Sequence, residues 1–248
     1  MHRIVSILLS VIFLIFSGTD LLAVDKQDIQ KSNRTPDPAV NGAQVRALIS
    51  PEFSINNART AVLIMDYEND IVNMLPESVQ IPLLEKAGTI LNAARQVHIP
   101  IIYIVVRFRN GYPEINLQNK LFSNLKDTGR FREGTSGAEI HTKVAPQPGD
   151  IIVTKRRVGA FSTTDLETIL RSKNINTLVL FGISTSGVVL STVRWAADMD
   201  YKLAVISDAC ADRDAEVHHV LIDKVFPWQA AVVSTQEFLK AAVAKDKK

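Results

Sequence analysis

The chain has 248 residues, a formal net charge of +2 at pH 7 and one cysteine. A charge balance this close to neutral, with no basic stripe, argues against a nucleic-acid partner. A single cysteine excludes a small scaffold held by intramolecular disulfides, so a large hydrophobic core must stabilise the fold.

The first 23 residues show the pattern of a secretory signal peptide. A short basic start at residues 1–3 precedes an almost wholly apolar run at residues 4–16, and the segment ends on the small residue Ala23. The apolar run is shorter than a membrane-spanning helix requires. We therefore expect cleavage near Ala23, export to the periplasm or the medium, and no stable membrane span afterwards. Leu21 departs from the small-residue rule for cleavage sites, which leaves an uncleaved anchor as the alternative.

Apolar runs alternate with helix-like stretches along the rest of the chain. Polar residues with Pro36 and Pro38 predict a linker or N-terminal arm at residues 24–55, followed by one domain at residues 56–248. The runs are short, rich in Val and Ile and apolar throughout, which is typical of strands covered on both faces. They lie at residues 61–65, 99–106, 151–154, 177–181, 203–206 and 230–233.

The predicted helices lie between or after these runs, at residues 79–97, 164–172, 188–199, 215–225 and 235–244. Two of them have the spacing of a capping box near their start, Thr164 with Glu167 and Ser234 with Glu237. Six strands alternating with helices predict an α/β fold in three layers, with a six-stranded, mostly parallel sheet and helices on both faces. Right-handed crossovers follow from this order.

Polar residues stand where three of the predicted strands end. Asp66 follows the first strand, Lys155 follows the third, and a turn at residues 182–188 follows the fourth. Because open α/β sheets bind ligands at the carboxyl ends of their strands, these groups form a candidate active site. Asp66 fits a general acid or base, and Lys155 fits its cationic partner. A turn-capping aspartate and a solvated basic cluster are the structural alternatives for the two residues.

The turn at residues 182–188 combines two glycines with small hydroxyl residues between a strand and a helix. Backbone amides at such a helix start can bind an anion or an oxyanion, although a tight turn needs the same small residues. The turn has neither the phosphate-loop pattern nor the dinucleotide pattern. It also lacks the second glycine of a nucleophile elbow, because Ser186 stands there.

The long connection at residues 107–148 predicts a lid over this edge of the sheet, because loops of such length usually cover a site. Arg107 and Arg109 are candidate contacts of this lid with an anionic substrate, and solvated surface arginines are the alternative. The histidines show no metal-binding spacing, so we expect no metal site. Cys210 fits a small buried thiol better than a nucleophile.

Four motifs in this order resemble the isochorismatase-like hydrolase superfamily, which includes isochorismatases, nicotinamidases and N-carbamoyl amide hydrolases. The resemblance covers roughly residues 60–239. The motifs are Asp-Tyr-Glu-Asn-Asp-Ile at 66–71, Lys-Arg-Arg-Val-Gly-Ala-Phe at 155–161, Gly-Ile-Ser-Thr at 182–185 and Ser-Asp-Ala at 207–209.

The resemblance implies an isochorismatase-like hydrolase domain with a Rossmann-like fold and no required cofactor. It places Asp66 and Lys155 in the family's catalytic acid/base and lysine positions, and it implies a cis peptide between Ile183 and Ser184. The residues of this turn that would contact the substrate or an oxyanion are Ser184, Gly187 and Val188.

The chain departs from the family at the nucleophile position. Amidase members carry a cysteine six residues after the first glycine of the turn, and Val188 stands at that distance from Gly182. Valine has no nucleophilic atom, so the thioester route is closed. Isochorismatases also lack the cysteine, and the resemblance suggests that their aspartate protonates an enol ether while water attacks. Val188 is bulkier than the family glycine and Glu68 replaces the family glutamine, which argues against isochorismate itself.

We therefore expect a hydrolase that acts on a small, anionic substrate through Asp66 and Lys155, without a cysteine nucleophile. A water-dependent amide or ureido hydrolase is one alternative. A non-catalytic family member that binds a small ligand or a protein partner is another. We also expect the protein to form a homo-oligomer.

Overall fold

The structure is a computed structural model, and it describes residues 53–244. The predicted signal peptide and nearly all of the predicted arm lie outside the described residues, so these features, the domain boundaries and the export of the protein stay predictions. Within residues 53–244, no helix combines the length and the apolar character needed to cross a bilayer.

Six parallel strands form one sheet, which confirms the predicted α/β fold and makes the sheet wholly parallel in the described part of the chain. The order across the sheet is β3-β2-β1-β4-β5-β6. The strands are β1 (Thr60–Met65), β2 (Ile101–Val106), β3 (Ile151–Lys155), β4 (Thr177–Gly182), β5 (Lys202–Ile206) and β6 (Ala231–Val233).

The α-helices are α1 (Asn69–Val72), α2 (Glu77–Gln96), α3 (Leu125–Thr128), α4 (Leu166–Ser172), α5 (Leu190–Asp198), α6 (Ala215–Val220) and α7 (Thr235–Val243). Two predicted helices contain a π-helical turn, Thr185–Val189 before α5 and Leu221–Val225 after α6. The long helices therefore lie where the sequence predicts them, with altered backbone geometry at two ends.

Helices cover both faces of the sheet. The crossovers from β1 to β2 and from β4 to β5 run in opposite directions along the sheet, so right-handed connections place α2 and α5 on opposite faces. The C-terminal helix α7 packs against α2. Every residue of β1, β2 and β4 is buried, which explains why these runs are apolar throughout instead of alternating.

The strand order reverses between β1 and β4, which is the position where such sheets open a crevice for a ligand. Met65 and Gly182 are register partners at the ends of these strands. A Cβ atom on Gly182 would lie 2.7 Å from the Met65 carbonyl oxygen, so only glycine permits this close approach. Asp66 and the cis peptide therefore leave the sheet side by side.

The long connection between β2 and β3 is fastened over the carboxyl end of β1. The carbonyl of Glu139 accepts the Asn69 N–H at 2.9 Å, and the His141 N–H donates to the Tyr67 carbonyl at 2.9 Å. The Phe131 N–H donates to a carboxylate oxygen of Asp70 at 2.8 Å. The connection thus covers the segment that follows Asp66, in the place where the sequence predicts a lid.

The two predicted capping boxes have different outcomes. Ser234 and Glu237 form both hydrogen bonds of a capping box at the start of α7, as predicted. The box at Thr164 is wrong, because the Thr164 hydroxyl donates to the Ala160 carbonyl at 2.7 Å and Asp165 directly precedes α4. Glu167 instead pairs with Arg171 at 2.6 Å, one turn along the helix.

Candidate active site

Asp66 and Lys155 form a buried ion pair at the carboxyl edge of the sheet. Lys155 ends β3, two strands away from β1, and its Nζ lies 2.9 Å from Asp66 Oδ2. The same ammonium donates to the Arg157 carbonyl at 3.1 Å. Asp66 is 6% exposed and Lys155 is 1% exposed. The structure therefore brings together the two residues that the sequence singles out, across the intervening strand β2.

Burial and the neighbouring lysine act in opposite directions on Asp66. Burial raises the pKa of Asp66 from 3.8 to about 6, against the charge and the hydrogen bond of Lys155, which lower it. Asp66 Oδ1 has no hydrogen-bond partner among the described residues. A carboxyl group with a pKa of about 6 and one oxygen without a hydrogen-bond partner among the described residues suits a general acid or base.

Glu68 is a second buried carboxyl group of the site. It is fully buried, and its Oε1 accepts the Val106 N–H at 2.5 Å. Burial and the charge of Asp66 raise the pKa of Glu68 well above its ordinary value. The sequence shows Glu68 only as a departure from a family motif, because nothing in the local pattern indicates that its side chain points inward.

The turn after β4 has the cis peptide between Ile183 and Ser184 that the resemblance implies. The Gly187 amide donates to the Ser184 carbonyl at 3.2 Å. A Cβ atom on Gly187 would lie 2.6 Å from the Ser184 hydroxyl oxygen, so a larger residue there would require the Ser184 side chain to move. Substrate contacts of Ser184, Gly187 and Val188 stay predictions, and the hydrogen bond commits the Gly187 amide to the turn itself.

Side chains from the segment after β5 fasten the same turn, which the sequence does not predict. The Thr185 hydroxyl lies 2.8 Å from His218 Nδ1, and the Ser186 N–H donates to Asp212 Oδ2 at 2.7 Å. Burial lowers the pKa of His218, with a smaller contribution from His219, which favours a neutral imidazole. The adjacent histidines of α6 therefore include one that holds the turn in place.

No thiol occupies the nucleophile position. Val188 stands there and is 1% exposed. Cys210 is a buried free cysteine, and burial raises the pKa of its thiol to about 12. A thiol with such a pKa remains protonated at neutral pH and is a poor nucleophile. Its environment agrees with the predicted small buried thiol.

We expect Cys210→Ala to retain turnover within about threefold and to lose at most a small amount of stability, because the thiol serves only to fill space. Wild-type turnover should also survive prolonged treatment with iodoacetamide. Ile206→Val, at a buried residue of β5 with no proposed contact to substrate, serves as the matched control for a small change in buried volume. Inactivation by alkylation in wild type, abolished in Cys210→Ala, would contradict this prediction.

The two arginines proposed as lid contacts are paired within the protein. Arg107 Nη2 lies 3.4 Å from Glu139 Oε2, and Arg109 Nη1 lies 2.7 Å from Glu114 Oε1. The guanidinium of Arg109 is well exposed, with 64% of its side-chain surface accessible. The structure balances both charges locally, so a contact of either residue with substrate stays a prediction.

Arg157 is an arginine of the site that the sequence analysis does not single out. Its guanidinium donates to the carbonyls of Arg156 at 2.6 Å and Glu114 at 3.2 Å, and it forms no ion pair with a carboxylate in residues 53–244. It borders an open pocket of about 280 Å³. The pocket is lined by Arg157, Val158, Gly159, Phe161, Ser162, Ser191 and Trp195.

Residues that line this pocket contact both Lys155 and the turn after β4. The Arg157 carbonyl accepts a hydrogen bond from Lys155 Nζ, and Val158 lies against Gly187 in the turn. The three consecutive basic residues at the end of β3 therefore have different environments. Lys155 is buried in the ion pair, and Arg157 lines the pocket. Residues 53–244 contain no group of three side chains that could hold a metal ion.

Comparison with known proteins gives matches over most of the chain. Residues 60–237 match the Isochorismatase domain. An uncharacterized isochorismatase family protein, YwoC of Bacillus subtilis, is 31% identical, and the alignment covers 76% of this chain and 96% of the relative. The ureidoacrylate amidohydrolase RutB of Stutzerimonas stutzeri is 29% identical over 75% of this chain and 79% of the relative.

A solved structure shows the same fold. The crystal structure of a cysteine hydrolase from Pseudomonas syringae pv. phaseolicola superposes with a TM-score of 0.70 at 23% identity. The superposition covers 77% of this chain and 95% of that chain. This chain therefore shares its overall fold with that cysteine hydrolase.

Proposed function

The chain belongs to the isochorismatase family and is a hydrolase acting on small molecules; from that premise, we propose that it cleaves a small, anionic substrate by proton transfer through Asp66, without a covalent intermediate. The observation that carries the proposal is the buried pair of Asp66 and Lys155, 2.9 Å apart, with the second carboxylate oxygen of Asp66 unpaired among the described residues.

The proposed reaction uses water as the nucleophile. Asp66 Oδ1 accepts a proton from water while the water oxygen bonds to the electrophilic carbon of the substrate. The same carboxyl group then returns that proton to the leaving group as the old bond breaks. Lys155 holds Asp66 in place, and its positive charge stabilises the negative charge that develops on the substrate. The buried Val188 excludes a covalent route at the nucleophile position.

The charge distribution supports an anionic substrate. The guanidinium of Arg157 has no carboxylate partner in the described chain and borders the pocket beside Lys155. An arginine in this state can bind a carboxylate through two parallel hydrogen bonds. We propose that this pocket binds the anionic group of the substrate, while Asp66 acts on the bond to be broken.

Among substrate classes, the amide or ureido bond of a small acid is favoured. With a pKa of about 6, Asp66 is mainly a carboxylate at pH 7 to 8, which suits a base that activates water. The relative named ureidoacrylate amidohydrolase supports the same class. Acid-assisted cleavage of an enol ether needs the protonated form of Asp66 and therefore would be fastest below pH 6.

A turnover screen of the purified protein tests the proposal. The panel pairs ureido acids and amides with enol ethers, including isochorismate, and each compound is assayed at pH 5.5 and pH 7.5. Turnover of an amide or ureido acid that is faster at pH 7.5 supports the proposal. No turnover of any compound, together with ligand binding detected by thermal shift, would indicate a non-catalytic binding protein instead.

A further inference from the structure

The proposed reaction leaves the buried carboxyl group of Glu68 without a role. The backbone of Glu68 pairs with Ile140 in the long connection, which turns the side chain toward the sheet. Its Oε1 accepts the N–H of Val106, the last residue of β2, at 2.5 Å. Glu68 is 0% exposed, so its carboxyl group is removed from solvent at the end of a central strand.

The position of β2 places this carboxyl group within the catalytic cluster. In the sheet, β2 lies between β1, which precedes Asp66, and β3, which ends at Lys155. The hydrogen bond to Val106 therefore places the Glu68 carboxyl group at the end of β2, the strand between the two that carry the ion pair. Asp66 and Lys155 both act electrostatically on Glu68, in opposite directions.

The cluster contains two buried acids and one buried cation. Lys155 donates hydrogen bonds to Asp66 and to the Arg157 carbonyl. Glu68 forms no ion pair with any residue in the range 53–244, and its Oε2 has no hydrogen-bond partner there. The hydrogen-bond donors to its carboxyl group in residues 53–244 are backbone N–H groups, those of Val106 and of Glu68 itself, and such neutral donors do not compensate the loss of hydration that an ionised carboxylate suffers on burial.

Other charged groups around Glu68 are already committed. Arg107, which follows Val106, pairs with Glu139 at 3.4 Å and donates to the Ala138 carbonyl at 3.0 Å. His141, which follows Ile140, accepts the Lys143 N–H through its imidazole, and its pKa is lowered by burial. Neither residue supplies a positive charge that would stabilise an ionised Glu68.

We infer that Glu68 keeps its proton at neutral pH and acts as a positioning residue for Asp66. A neutral Glu68 leaves one negative and one positive charge in the cluster, so that Lys155 stays directed at Asp66. If Glu68 lost its proton at alkaline pH, a second buried negative charge would compete for Lys155 and weaken its hold on Asp66. The protonation state is independent of the reaction, and only the kinetic consequence rests on the proposed function.

Carbon-13 NMR of the full chain labelled at glutamate carboxyl carbons tests the protonation state without any substrate. We expect one signal at the chemical shift of a protonated carboxyl at pH 7, which is absent in Glu68→Gln. Glutamine keeps an oxygen that can accept the Val106 N–H and carries no titratable proton. Glu85→Gln, which removes an exposed acid on α2 that forms no ion pair in residues 53–244, is the matched control and should retain the signal.

A wild-type spectrum in which all glutamate signals are ionised at pH 7 overturns the inference. This result does not depend on the folding of any variant. If Glu68→Gln does not fold, the through-space contact between the carboxyl carbon and the Val106 amide proton assigns the signal. A protonated signal that persists in folded Glu68→Gln, or that contacts another amide, also overturns the inference.

The kinetic arm uses any substrate found in the screen. We expect the ratio of turnover at pH 9 to turnover at pH 7 to be several-fold higher in Glu68→Gln than in wild type, because glutamine cannot ionise. An unchanged ratio, with the protonated NMR signal present, overturns the positioning role while leaving the proposed hydrolysis intact. Absence of turnover in the screen contradicts the proposed hydrolysis. The NMR experiment still tests the protonation state of Glu68, because it needs no substrate.

Discussion

Replacing Asp66 by asparagine should lower turnover by about 10²–10⁴-fold, the usual contribution of a general acid or base. Asparagine has nearly the same shape and retains an oxygen that can accept a hydrogen bond from Lys155 Nζ, so the fold should persist. It cannot accept a proton from water or deliver one to a leaving group. The loss should therefore appear in kcat, with little change in KM.

Steady-state kinetics at pH 7.5 measure this effect on the best substrate from the screen. Circular dichroism and the thermal midpoint of Asp66→Asn show whether the fold is retained. Asp127→Asn, which changes an exposed acid in α3, is the matched control and should behave as wild type. A folded Asp66→Asn variant with wild-type kcat would contradict acid–base catalysis by this residue.

Replacing Lys155 by methionine should destabilise the protein by about 3–5 kcal/mol at pH 8, the usual cost of breaking a buried ion pair from one side. Methionine fills much of the lysine volume but supplies no charge. Asp66 and Glu68 would then lie buried without a cationic partner in the cluster. The same variant should lose turnover, because nothing holds or polarises Asp66.

The cost of Lys155→Met should decrease as the pH falls. Loss of the lysine removes the charge and the hydrogen bond that lower the pKa of Asp66, so burial would hold that pKa above 6 in the variant. An acid whose folded-state pKa is raised loses stability as the pH rises from its unfolded value through its folded value. The penalty should therefore be larger at pH 8 than at pH 5.

Urea unfolding at both pH values measures this difference. Lys202→Met is the matched control, since Lys202 is an exposed lysine on β5 of the same sheet, and it should cost about 1 kcal/mol or less at either pH. A Lys155→Met penalty equal to that of Lys202→Met, or independent of pH, would show that the ion pair contributes little to folding.

The fold follows closely from the sequence because its signals are local. Buried parallel strands require continuous apolar runs, and the observed strand and helix bounds lie within about two residues of most predicted ranges. The capping box of Ser234 forms as predicted, whereas the box of Thr164 with Glu167 does not form, because the Thr164 hydroxyl donates to the Ala160 carbonyl and accepts the Leu166 N–H. The hydrogen-bond partner of the Thr164 hydroxyl depends on how the preceding turn folds, and the spacing between Thr164 and Glu167 does not predict that.

Some residues of the site can be recognised from local sequence, and others cannot. Asp66 and Lys155 are recognisable from the sequence, because each directly ends an apolar run, and the parallel arrangement then places both at one edge of the sheet. Glu68, Arg157 and His218 are not recognisable as parts of the site. Their roles depend on contacts with residues at least 33 positions away, such as Val106, Glu114 and Thr185.

The strands, the helices and the two residues at the strand ends can thus be predicted from local sequence, because apolar runs and the polar residues that end them are properties of neighbouring residues. Which charges remain unbalanced depends on contacts that form only on folding. The tertiary structure pairs Arg107 and Arg109 with acids, leaves Arg157 beside a pocket, and buries Glu68 at the end of β2, between the strands that carry Asp66 and Lys155. The electrostatics of a site depend on distances between distant segments of the chain, and folding alone sets those distances.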